Sequence, residues 1–187
     1  MKIFNEIKLA QELIRFPTVK TEDKGIMKFL SKKLSSIGFR CKIIKSKGTG
    51  PKPALNLYAK FGNSRPHINF LGHTDVVANL NNWKISPFKA VIRKGYLNGR
   101  GSQDMKGGIA CFISAISNFI KDKNFKGSIS IIIAADEETT GLGTPAVIRY
   151  LKKKREKVDF SIVAEPSSNR SIGDEIRIGR RGSMNGI

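Results

Sequence analysis

One histidine and a set of carboxylates fall where an α/β chain would assemble a metal centre. His73-Thr-Asp75, Asp104, Glu137-Glu138 and Glu165 each follow an apolar stretch directly or stand at a helix start. In open α/β sheets the loops leaving the carboxyl ends of the strands converge on one crevice, so ligands far apart in sequence can meet in space. Imidazole nitrogens and carboxylate oxygens are donors to a metal ion, and the chemistry such a centre supports is hydrolysis.

Each piece has a plainer reading. A lone loop histidine is more often structural, but His73-x-Asp75 on a strand exit lets the imidazole ligate metal while a neighbouring carboxylate orients its ring. Asp104, in Gly99-Arg-Gly101-Ser-Gln-Asp104-Met-Lys-Gly-Gly108, could simply cap the following helix. The glycines there suggest a dinucleotide loop, yet the sixth position is aspartate and a hairpin precedes it, so that reading fails. Ile131 to Glu138 also resembles the magnesium-binding strand of P-loop ATPases, but the chain has no Gly-x4-Gly-Lys-Ser/Thr loop. Adjacent glutamates point in different directions, which allows one to bind metal while its neighbour handles a proton. Carboxylates crowded at one sheet edge repel one another without a cation. Glu165 closes another apolar strand, and Pro166 holds its backbone extended.

The chain that must position these groups has 187 residues, 40% of them hydrophobic, enough for an ordinary domain with its own core. No run approaches the roughly 20 apolar residues of a membrane span, and Met1-Lys2-Ile3-Phe4-Asn5-Glu6 lacks a signal-peptide pattern, so a cytoplasmic protein without membrane attachment is expected. The net charge of +19 invites a nucleic-acid reading. Against it, the lysines are spread through nearly every segment, and the one dense run, Lys152-Lys153-Lys154-Arg155, has no interleaved aromatic residues for stacking. A solvated lysine-rich surface that attracts a small polyanion is the better reading. Cys41 and Cys111 read as small buried thiols without chemistry.

Ile3, Ile7, Ala10, Leu13 and Ile14 recur at helical spacing up to Pro17, and Ile26, Met27, Leu30, Leu34 and Ile37 repeat the pattern up to Gly38. Strands are expected over 39–44, 55–61 and 67–71, with a hairpin over 90–97 turning at Lys94-Gly95. A helix over 107–120, a buried strand over 128–135, a helix over 144–154 and a strand over 159–164 follow. This alternation predicts an α/β fold: a mostly parallel twisted sheet flanked by helices.

The ordered segments Gly72-His-Thr-Asp-Val-Val77, Gly99-Arg-Gly-Ser-Gln-Asp-Met-Lys-Gly107, Asp136-Glu-Glu138 and Ala164-Glu-Pro166 resemble the dinuclear zinc amidohydrolases, a family that includes aminoacylases, acetylornithine deacetylase and succinyl-diaminopimelate desuccinylase. Glu165-Pro-Ser-Ser and Gly173 to Ser183 are most similar to the desuccinylase branch. The resemblance implies that His73 and Glu165 hold one zinc, that Glu138 holds a second, and that Asp104 bridges the two. Cobalt is a substitute for zinc in this picture. It further implies Glu137 as general base, Asp75 as the residue steadying His73, and Arg180 or Arg181 as contacts to a substrate carboxylate, although a solvated strand arginine explains either equally well. The implied substrate is a polyanionic N-acyl amino acid, N-succinyl-LL-diaminopimelate before acetylornithine, and the implied complete enzyme is a homodimer. The rival of another class is a non-catalytic basic binding domain.

The second zinc of that family needs a further histidine, and this chain has only His67 and His73. Six residues of strand separate them by about 20 Å, so His67 cannot join the cluster. The expectation is therefore that residues 1–178 form the amino-terminal part of a catalytic domain and 179–187 begin an inserted lid or dimerisation domain. Such a piece would hold one tight zinc and have little activity alone.

Overall fold

The computed structural model describes residues 2–78, 81–122 and 125–179. In chain order the elements are α1 (Glu6–Ile14), α2 (Ile26–Ser35), β1 (Arg40–Ser46), β2 (Ala54–Gly62), β3 (His67–His73), β4 (Val91–Arg93), β5 (Tyr96–Asn98), α3 (Lys106–Phe119), β6 (Ser128–Ala134), α4 (Gly143–Lys153) and β7 (Phe160–Val163).

Local chemistry sets the helix ends. The Asn5 side chain accepts the Lys8 amide at the start of α1, with Glu6 in the first turn where the helix dipole favours an acid. The Asp23 carboxylate takes the Gly25 and Met27 amides ahead of α2. α2 stops at Ser35, short of the apolar periodicity that runs to Ile37. The Phe39 amide returns to the Leu34 carbonyl, and Gly38, at φ +95°, supplies the left-handed turn this needs. Lys94 (φ +49°) and Gly95 (φ +81°) make the tight turn between β4 and β5, as their sequence suggests.

Five strands form one sheet in the order β1-β2-β6-β3-β7. β3 runs parallel to both β6 and β7, whereas β2 is antiparallel to both β1 and β6. The sheet is thus mixed but mostly parallel, as the alternation predicts: of its five strands β1, β3, β6 and β7 run in one direction and β2 runs against them. The connection over 47–53 contains no helix and can join only antiparallel neighbours, and β6 inserts between β2 and β3.

Side chains alternate across the sheet. Ile129, Ile131 and Ile133 of β6 join the large core beneath α1, α2 and α3, while Ile132 and Tyr58 pack against Val147 and Leu151 of α4 on the other face. With both faces covered, every residue of β6 is buried, which explains its unbroken apolar run. No described helix is long and apolar enough to cross a membrane.

Cys41 is half-buried with its thiol near the Ser31 carbonyl, and Cys111 is exposed. Both are free thiols, but the expectation that both are buried is corrected. The buried stripe of α3 is Lys106, Ile109, Ala110, Ile113, Ile116 and Ser117, and position 111 lies off that stripe.

Register places the functional residues. His73 pairs with Ala134, so the carboxyl end of β3 lies level with the exit of β6 into Asp136-Glu137-Glu138. Leu71 pairs with Val163, which sets Glu165 beyond β7 at the same end. Gly72 faces α3, and a Cβ there would lie 3.0 Å from Met105 Cε and 3.2 Å from Ile109 Cγ1. The missing side chain lets the start of α3 approach the sheet, bringing Asp104 to that end too.

Candidate metal centre

His73 anchors the site. Its imidazole is buried, and Nδ1 donates to the Asp75 carbonyl oxygen at 3.1 Å, with Asp75 Oδ1 3.4 Å away. A proton held on Nδ1 leaves Nε2 as the nitrogen that can offer a lone pair. Nε2 faces Asp104 Oδ1 at 2.9 Å, Glu165 Oε1 at 3.6 Å and Glu137 Oε2 at 4.0 Å.

Two sets of potential ligand atoms gather around His73, one with Asp104 and Glu138 and the other with Glu137 and Glu165; within each set the atoms lie within 4.8 Å of one another. The structure therefore brings together all four sequence-selected metal candidates and the base candidate Glu137. Both glutamates of the Glu137-Glu138 pair reach the hollow, because β6 ends at Ala134 and the chain there is a turn.

Asp75 has a wider role than steadying one ring. Its buried carboxylate accepts the Glu137 amide on Oδ1 and the Glu138 amide on Oδ2, so it also fixes the backbone carrying both glutamates. Asp104 does not cap α3, whose N-cap position is Met105 without a side-chain bond.

The electrostatics match a cation site. Burial pushes Glu165 up to about 7; the His73 charge opposes this, while Asp104 and Glu137 reinforce it. Glu138 is likewise raised by burial and then by Asp104. Burial by itself would lower His73, but its contact with Asp75 and the charges of Asp75, Glu165 and Asp104 outweigh that and hold it at about 9. Carboxylates that resist ionisation side by side are relieved by a dication, and one imidazole with several carboxylates is a donor set that suits zinc.

Three contributors received no role in the sequence reading. Asp136, fully buried, turns away from the hollow: its carboxylate takes the Leu142 amide at 3.0 Å, the Gly143 amide at 2.8 Å and the Thr140 hydroxyl, which shapes the turn into α4. Asn56 on β2 accepts the Ala135 amide, and nothing in its local sequence announces that. Lys106 is buried with its ammonium on the Phe16 carbonyl, and burial lowers it to about 8 against the opposing charge of Asp75. Its position at a helix start, where acids are the rule, was the available hint.

A cleft of about 370 Å³ opens beside Asp104 and Glu138, walled by Val76, Trp83, Arg100, Ser102 and Gln103. Arg100 stacks over Trp83 at 5.5 Å. Arg180 and Arg181, the carboxylate-binding candidates, lie outside the described residues.

Residues 70–179, which span this whole cluster, match the profile of peptidase family M20/M25/M40. The chain belongs to that family. Its motif resemblance and its overall similarity to known proteins thus agree. The M20 chain is 50% identical to a succinyl-diaminopimelate desuccinylase of Pelagibacter ubique, over 99% of this chain and 49% of that relative. It is 45% identical to a protein of the same name from Ehrlichia canis, over 96% of this chain and 48% of the relative. The chain spans about half the length of the curated relatives it matches. Its fold is that of human carnosine dipeptidase 1 (TM-score 0.73, 20% identity, 86% of this chain and 38% of that one). An M20 family metallo-carboxypeptidase from Sulfolobus solfataricus superposes similarly (TM-score 0.70, 21% identity, 87% and 37%).

Proposed function

We propose that this chain carries the metal-binding half of a zinc-dependent amide hydrolase whose substrate is N-succinyl-LL-2,6-diaminopimelate, releasing succinate and LL-2,6-diaminopimelate. The observation that carries the reading is the convergence of Asp104, Glu137 and Glu165 on His73 Nε2 at 2.9 to 4.0 Å. Relatives between 40% and 50% identical bear the desuccinylase name, which supports the choice of acyl group.

In this reading His73, Asp104 and Glu165 hold one zinc, and Asp104 and Glu138 hold a second, with cobalt a serviceable substitute. Bound zinc supplies Lewis acidity toward an amide carbonyl and toward water. Glu137 is the base. It takes a proton from the attacking water and delivers it to the departing amine nitrogen. Asp75 holds His73 through its carbonyl and both glutamates through its carboxylate, so the donors converge before metal arrives. The net charge of +19 suits a substrate with several carboxylates. The reading carries with it two further proposals, a homodimeric complete enzyme and a cytoplasmic setting.

The decisive experiment extends the chain to the length of its relatives and compares hydrolysis of the succinylated substrate with that of acetylornithine. Faster turnover of the succinylated compound is expected. The reverse order would overturn the substrate, and absence of any chelator-sensitive hydrolysis would overturn the enzyme reading.

A further inference from the structure

Lys106 stands with no exposed surface at the first position of α3, where the helix dipole favours an anion. Burying an ammonium there is unfavourable unless its contacts compensate. Its contacts connect three parts of the site. The backbone amide bonds the Gly101 carbonyl at 2.9 Å. The aliphatic stem lies against Gly101, where a Cβ would come within 3.1 Å of Lys106 Cδ, and the residue sits at φ +81°. The ammonium donates to the Phe16 carbonyl at 2.8 Å.

The segment gripped at Phe16 is in turn sewn to the exit of β3. The Thr18 hydroxyl donates to the Thr74 carbonyl at 2.5 Å, the Val76 amide to the Thr18 carbonyl at 3.0 Å, and the Lys20 amide to the Val76 carbonyl at 3.1 Å. These bonds fall on either side of Asp75, whose charge acts on Lys106. One side chain therefore ties the start of α3, two residues after Asp104, to the strand exit that bears His73 and Asp75.

We propose that Lys106 is a positioning residue of the metal centre, holding Asp104 in register with His73 by its grip on the Phe16 carbonyl. The proposal rests on the zinc reading of the site. Positioning and simple charge make opposite predictions. Removing a cation near a dication site should tighten zinc binding by Coulomb's law, whereas loss of a positioning contact should weaken it.

The test is Lys106→Met in this same chain, with zinc affinity measured by competition against a chromophoric chelator and folding checked by circular dichroism in EDTA. A folded variant that binds zinc about 10-fold or more weakly is expected, in the range seen when supporting contacts of metal ligands are lost. Equal or tighter binding by the folded variant would overturn the positioning role while leaving the zinc reading intact. No zinc uptake by the parent chain would overturn both. A second measurement does not depend on the variant folding: in the parent chain labelled with 15Nζ-lysine, zinc should shift the Lys106 ammonium resonance. A resonance unmoved by saturating zinc would overturn the proposal.

Discussion

Asp75 Oδ2 accepts the backbone hydrogen of Glu138 across 2.9 Å, and Oδ1 of the same carboxylate takes the amide of Glu137 at 3.1 Å. One buried side chain thereby sets the direction of two consecutive glutamates while its own carbonyl holds the imidazole of His73. The position of the donors is thus decided by hydrogen bonds that no metal needs to make.

Asp75→Asn removes one acceptor oxygen and aims an amide NH2 at a backbone N–H. The glutamate turn should loosen, and zinc affinity should fall by roughly 10- to 100-fold, the range for losing an outer hydrogen-bond partner of metal ligands. A chelator competition assay measures it. Unchanged affinity would show that Asp75 does not organise the site.

Glu137→Gln, made in a protein of the relatives' length, should leave metal content intact and lower turnover by about 10²- to 10⁴-fold, the usual cost of losing a general base. Near-normal turnover with full metal would remove Glu137 from that role.

The convergence of the donors was legible in the sequence because each one follows a strand or opens a helix, and the parallel register of β3 with β6 and β7 then levels their ends. What stayed hidden depends on partners distant along the chain. Asn56 reaches Ala135 across 79 residues, and the Lys106 ammonium reaches Phe16 across 90. The reversal of β2 stayed hidden for a similar reason, since the insertion of β6 between β2 and β3 leaves no local mark in either strand. Asp136 was visible as an acid but reads the same whether it faces the hollow or, as here, closes the turn into α4.

At the far end of β3, His67 is buried with Nδ1 on the Lys157 carbonyl at 2.7 Å and Nε2 on Ser130 Oγ at 2.8 Å. Burial first, and the Lys60 charge after it, hold His67 below its ordinary value, with the Lys157 carbonyl and Glu156 opposing. The unfolded chain therefore takes up this proton more readily, and ν_U exceeds ν_N as pH drops below about 6.5. The contribution is fully present above that pH and is lost as pH falls toward the folded-state value. Urea midpoints at pH 7.5 and 5.5 should show a smaller acid loss for His67→Gln than for the parent. An identical loss in both proteins would remove His67 from the acid response.

The chain's two histidines occupy opposite ends of β3, His67 at its first residue and His73 at its last. Only His73 can serve the centre, since six residues of strand carry His67 about 20 Å away. In the proposed assignment one zinc draws on His73 and on Asp104 and Glu165, which lie 2.9 and 3.6 Å from its Nε2, with water completing a tetrahedral set, whereas the second is left with Asp104 and Glu138. The 187-residue chain should retain close to one zinc after dialysis against dilute zinc, and a second ion should bind only weakly. Hydrolysis by this chain alone should be negligible, because a paired site divides the tasks of activating water and polarising the carbonyl between its two ions. Elemental analysis and an amidase assay on the same sample read both halves. Two tightly held ions per chain, or robust turnover, would mean that other side chains complete the second position and that the ligand assignment is wrong.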